Sequence, residues 1–141
     1  MKKVVFYIII VVVVTFAFIL IKNNQKIHLD IGIKENDTTL EWKFMKVDRS
    51  VAEEILRIVE NANSIDELTS TMVDIEMNIY TNEMDIRKIR WYGNELIIEQ
   101  GREEQYKQLE NIQITKIIQY LKKANNEIAT KVDDQIKKSY D

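Results

Sequence analysis

The chain has 141 residues, with 20 basic against 23 acidic, no cysteine, no proline, three glycines and one histidine. Without cysteine there is no disulfide staple, no thiol chemistry and no lipid-modified N-terminal cysteine. The scarcity of Gly and Pro argues against a disordered stalk, and the heavy use of Ile, Lys and Asn points to an AT-rich bacterial genome.

The first stretch is not globular. After Lys2 and Lys3, residues Val4 to Ile21 carry no charge, and fifteen of these eighteen are Val, Ile, Leu or Phe. At about 1.5 Å per residue the run spans roughly 27 Å, close to a hydrocarbon core of about 30 Å. In water such β-branched density favours a strand. In lipid the backbone must satisfy its own hydrogen bonds, so a lone span is a helix. The expectation is residues 1–21 as an N-terminal tail and transmembrane signal-anchor helix. The alternatives are a strand buried in a protein core and a signal peptide cleaved after Ala17, for which Thr15 and Ala17 offer a small-residue pair. Against cleavage, Phe18-Ile19-Leu20-Ile21 continues the apolar run past that site. Two lysines and the α-amine precede the span, and Lys22, Lys26 and Lys34 follow it, so charge barely sets orientation. The short tail and signal-like layout favour the N-terminus inside the cell and residues 22–141 outside.

That second part is more acidic than the whole. Removing Lys2 and Lys3 leaves 18 basic against 23 acidic residues, a net charge of −5. Such a domain repels phosphate backbones, so no nucleic-acid partner is expected. Ile27, Leu29, Ile31 and Ile33 alternate with polar residues, and Leu40, Trp42 and Phe44 continue to Val47 after the turn residues Glu35-Asn36-Asp37-Thr38. This predicts a β-hairpin. Ser50 and Glu53 have capping-box spacing ahead of an amphipathic helix reaching Ala62. Ser64–Ser70 reads as a linker, with one helical turn over Ile65–Leu68. Val73, Ile75, Met77 and Ile79 make the cleanest strand, turned by Thr81-Asn82-Glu83. In Met84–Tyr92 the phase slips between Ile86 and Ile89, which predicts a bulge near Arg87-Lys88. Gly93-Asn94 turns the chain into a strand over Glu95–Gln100. Arg102–Glu110 fits a short strand or a helical turn equally. Asn111 is the expected N-cap of a helix reaching Ala124, and Asn125-Asn126 interrupts it before a more exposed amphipathic extension to Lys138. The predicted fold class is α+β: after the transmembrane helix, an antiparallel sheet with two helices packed on one face.

No constellation reads as an active site, so no catalytic, cofactor-binding or metal-binding residue is assigned and no cofactor is expected. His28 lies on a polar strand face, and zinc or a Ser-His-acid triad would need partners that the sequence does not supply. Asp74 and Glu76 share a strand face and suit either a solvated surface or an acid–base or Ca²⁺ pair. Asp133-Asp134 is expected on an exposed helix. Arg87, Lys88 and Arg90 are expected to pair with carboxylates across the sheet. Tyr80 and Tyr92 fall on polar faces and mark a candidate contact patch; the other domain aromatics are expected in packing.

The segments "RSVAEEILRIVENAN", "MVDIEMNIYTNEMDIRKIRWYGNELIIEQ", "YKQL" and "ITKIIQYLKKA" follow one another between Trp42 and Ala124. In this order the stretch resembles the small extracytoplasmic domains of uncharacterised Gram-positive bacterial lipoproteins and membrane proteins. The resemblance implies location and fold and carries no residue role; the chain departs from the lipoproteins in having a helix where they have a lipidated cysteine. The expected function is a non-catalytic, membrane-anchored extracytoplasmic domain for accessory or interaction roles, with the membrane and a protein or cell-envelope component as partners. The alternatives are a carboxylate-dependent cell-envelope enzyme or ligand-binding domain, and an assembly subunit packed through helices. The last would need heptads after the span, where a strand pattern stands instead.

Overall fold

The computed structural model describes residues 2–23, 25–36, 38–70, 72–82 and 84–140. Helix α1 runs Lys2–Asn23. None of its large apolar side chains is buried: from Val4 to Ile21 they are 42% to 68% exposed. By length and composition α1 can cross a membrane, and a signal sequence meets the same criterion. Its one hydroxyl in the core of the run, Thr15 Oγ1, donates to the Val11 carbonyl at 2.7 Å, so it needs no water.

Strands β1 (Lys26–Asn36) and β2 (Thr39–Asp48) form the expected hairpin, pairing from Lys26 with Asp48 to Asn36 with Thr39. Asn36 Oδ1 shapes the turn by accepting from the backbone N–H of Thr38 and of Thr39, each at 3.1 Å; Asp37 lies outside the described residues. Helix α2 (Arg49–Glu60) follows without a break. The expected Ser50–Glu53 capping box does not form. The helix starts two residues earlier, with Asp48 as N-cap, whose carboxylate makes no cap bond and is held by Lys26 at 2.6 Å. Glu53 is 3.7 Å from Arg49 instead.

The two-residue strand β3 (Asn63–Ser64) replaces the start of the expected linker. Ile65 N–H bonds the Tyr106 carbonyl at 3.1 Å, so this edge pairing wins over the helical turn expected at Ile65–Leu68. Strands β4 (Ile75–Asn82), β5 (Asp85–Tyr92), β6 (Glu95–Gln100) and β7 (Glu103–Gln108) make an antiparallel meander. Arg102–Glu110 is thus strand for most of its length. Gly93 and Gly101 turn the meander with φ of 59° and 61°, a region that a Cβ disfavours; Glu83, of the β4–β5 turn, lies outside the described residues. The seven strands order as β2-β1-β4-β5-β6-β7-β3.

No bulge occurs at Arg87-Lys88, where β5 pairs regularly with both neighbours. The irregularity sits between Tyr80 and Asn82. The sequence phase slips because Arg87 takes an inward position beside Ile79, satisfied there by Glu60 at 2.6 Å and Asp85 at 3.3 Å, while Ile86 points outward.

Helix α3 (Asn111–Ala124) starts on Glu110, not on Asn111, and the Glu110 N–H donates to Gln113 Oε1 at 2.9 Å. Asn125 ends α3 and begins α4 (Asn126–Lys138), its Oδ1 accepting from Ile128 N–H at 3.1 Å. The exposed extension expected here is instead a core helix. Ile128, Ala129, Val132 and Ile136 are buried, with α3 and β1 as neighbours. One continuous core joins alternate residues of the central strands, such as Leu29, Ile31, Met77, Ile89, Trp91 and Leu96, to the apolar stripes of α2, α3 and α4. The sheet side bearing those residues is the inner face; the alternate residues make the outer face.

Candidate functional site

The register sets the outer face row by row. One row runs Trp42, Gly32, Glu76, Arg90, Ile97, Tyr106 across six strands; the next runs Phe44, Asp30, Asn78, Lys88, Glu99, Glu104. Both cations in these rows pair with carboxylates, as expected for the basic cluster. Lys88 lies 3.2 Å from Glu76, and Arg90 bonds Glu99 and sits 3.3 Å from Glu104. Tyr106 donates to Glu104 at 3.1 Å, which raises the phenol above its ordinary range.

The carboxylates that the sequence sets side by side have separate tasks. Asp74, just before β4, accepts from Gly93 N–H at 3.0 Å and from Ser139 Oγ at 2.8 Å, tying the β5–β6 turn to the end of α4. Glu76 faces Lys88. Asp133 pairs with Lys137 at 2.7 Å on α4, and Asp134 is exposed. His28 is exposed on the outer face, edge-on to Tyr80 with ring centres 6.5 Å apart. Asp30 accepts from the Tyr80 hydroxyl, which with partial burial raises that phenol. Among the described residues no three His, Asp or Glu side chains gather at a site able to hold a metal ion.

Of the two tyrosines proposed as a contact patch, Tyr92 is not available. It is 5% exposed, as is its cross-strand partner Glu95. The chain between β3 and β4 crosses this corner, with Thr69 N–H and Oγ1 both donating to Glu95 Oε2, at 2.7 and 3.0 Å. A polar-face assignment from alternation cannot foresee a loop returning over the face.

The accessible aromatic surface lies elsewhere, on β2. Val47 pairs with Ile27 on the inner face, so Leu40, Trp42 and Phe44 all point outward. Phe44 is 75% exposed. The Trp42 indole lies over Gly32, where an added Cβ would come within 3.0 Å of the ring. In sequence the run Leu40, Trp42, Phe44 reads as the buried side of a strand. The adjacent pair Phe44-Met45 hides the switch of face, and only pairing with β1 reveals it. At the end of β2 distant from α1, Lys34, Asn36, Thr38, Leu40, Met72 and Val73 line a groove of about 330 Å³. β2 also ends the sheet, so its outer backbone edge has no strand neighbour among the described residues. An aromatic strip and an open strand edge on β2, with a groove at its end shared with β1 and the segment before β4, suit recognition of an extended chain.

Comparison with protein-family models, with curated proteins and with solved structures finds no match in any of the three. The residue roles above therefore rest on geometry alone.

Proposed function

We propose that this chain is a membrane-anchored recognition domain without catalytic activity, which holds an extended segment of a protein or cell-envelope partner along β2. In this reading α1 stays uncleaved and crosses the membrane once, with Lys2 and Lys3 inside the cell and the domain outside. The observation that carries the reading is Phe44 standing 75% exposed beside Trp42 on a ten-residue edge strand. Large rigid aromatics at the surface are the side chains from which binding hot spots are built, and an edge strand offers main-chain hydrogen bonds to a partner strand.

The test is photocrosslinking in native membranes with the full chain, using a benzophenone side chain at Phe44 and, as a control, at Thr115 on the exposed side of α3. The expected result is one discrete protein or glycan adduct from position 44 that disappears on adding Trp42→Ala. The same adducts from both positions, or none from 44, would remove β2 as the contact. A carboxylate enzyme is the weaker reading, because Asp74 and Glu76 are engaged by different partners.

A further inference from the structure

The chain leaves α1 at Asn23 and enters β1 at Lys26. Whenever α1 spans a bilayer, the end of the sheet where β1 begins therefore stands at the membrane surface. The antiparallel register decides what else is at that end. His28 pairs with Tyr80, and Tyr80 with Ile86, so the close of β4 and the opening of β5 lie there too. The turn between them is braced to the anchor exit. Arg49 N–H donates to the Gln25 carbonyl at 2.8 Å, and Arg49 Nη2 donates to the Thr81 carbonyl at 3.1 Å. Thr81 Oγ1 in turn bonds Asp85, and Asn82 Oδ1 accepts from Met84 N–H at 2.9 Å.

Two exposed apolar side chains stand beside this turn among its described residues. Met84 is 98% exposed and Ile86 is 44% exposed. Exposed cations at that end include Lys46, level with His28, and Arg102, in the β6–β7 turn beside Glu103, while Lys26 there is paired with Asp48. Apolar tips flanked by basic side chains match the bilayer interface, where apolar groups sink to the acyl boundary and long cationic chains reach back to phosphate. The domain as a whole is acidic, so charge alone would not hold it at an anionic surface, and the apolar tip must supply the attraction.

We propose that this rim is a second, shallow membrane contact, with Met84 and Ile86 inserted into the headgroup–acyl boundary of the bilayer that holds α1, and Lys46 and Arg102 at phosphate level. The inference rests on the membrane-spanning reading of α1. Its consequence is orientation. Pinned by both α1 and the β4–β5 turn, the sheet stands upright, and the groove at the far end of β2 is held about 35 Å from the bilayer, the length of the eleven-residue β1.

The chain has no cysteine of its own, so single cysteines can be labelled cleanly. The full-length protein is reconstituted in vesicles of phosphatidylcholine with a minority of phosphatidylglycerol, carrying an environment-sensitive fluorophore on Val12→Cys, Thr38→Cys or Met84→Cys. Lipids brominated high on the acyl chain serve as quenchers, and iodide serves as the aqueous quencher. The expected result is a blue-shifted label at 84 that is quenched by brominated lipid and shielded from iodide, with the label at 38 behaving oppositely. Quenching at 12 together with a water-exposed label at 84 would overturn the proposal while leaving the anchor intact. A label at 84 shielded from both quenchers would overturn it as well, in favour of protein contact. A label at 12 untouched by brominated lipid would defeat the anchor reading, and this inference with it.

Discussion

Helices α1 and α2 draw on the same branched aliphatic residues for different solvents. In α1 the aliphatics go all round, and every large one from Val4 to Ile21 lies exposed. In α2 six residues, including Val51, Ile55 and Val59, are buried against the sheet, while Glu53 and Arg57 face water. A helix apolar on one side finds its solvent within its own fold, and one apolar on all sides must find it outside. Under the proposed membrane-spanning reading of α1, stability of the domain and retention in the membrane are therefore separable properties.

The sharpest way to break that separation is to damage one region and measure the other. Trp91 is buried at the centre of the core, its Nε1 donating to the Gly93 carbonyl at 2.6 Å. Trp91→Ala should cost about 3–5 kcal/mol in denaturant unfolding, and the surviving chain should still resist extraction from membranes by alkaline carbonate. Val12→Arg, in contrast, should cost about 2.5–3.5 kcal/mol of insertion free energy and move protein to the supernatant while leaving the melting of the domain unchanged. Loss of both properties from either substitution would show the two regions to be coupled.

Smaller changes sharpen the contrast within the domain. Gly32→Val drives a side chain into the Trp42 ring. It should cost about 1–3 kcal/mol and shift Trp42 emission, as read in a Trp91→Phe background, towards that of a fully solvated indole. The smallest of these effects is pH-dependent. The Thr81 hydroxyl bonded to Asp85, with Arg87 and Gln100 adding, holds that carboxyl below its ordinary range against the opposing effect of burial. The folded state thus gives up its carboxylate at lower pH than the unfolded chain. The contribution is complete above the ordinary carboxylate pKa and fades as pH falls through the folded value. Thr81→Val should cost about 1 kcal/mol near neutral pH and flatten the acid limb of a stability–pH curve; an unchanged acid limb would show that the Thr81 bond to Asp85 contributes nothing to it.

The hairpin, the interruption at Asn125-Asn126 and the strands β4 to β6 are legible in sequence because each depends on neighbours within a few residues. Ile75, Met77 and Ile79 announce a strand by alternation alone. Apart from the one-residue shift of the α3 cap to Glu110, the expectations that failed depend on distant partners. Asp48 rather than Ser50 begins α2 because β2 extends to pair Asp48 with Lys26. Arg87 is tolerated inward because Glu60 arrives from α2. Tyr92 disappears beneath a chain segment that bonds Glu95 from Thr69, 26 residues away. Which face Leu40, Trp42 and Phe44 take is likewise undecided in sequence, because one side of a strand looks like the other until its neighbour is placed.

Sequence alone determined that the first helix is apolar on every side, that an acidic, cysteine-free α+β domain follows it, and roughly where most elements begin and end. These depend on composition and on local periodicity, which need no distant contact. Tertiary structure alone decided that α4 closes the core, that the aromatics of β2 face outward, and that Met84 shares an end of the sheet with the exit from α1. Each of those is a matter of strand register and helix docking, set by which residues meet across the fold and invisible in the order in which they are joined.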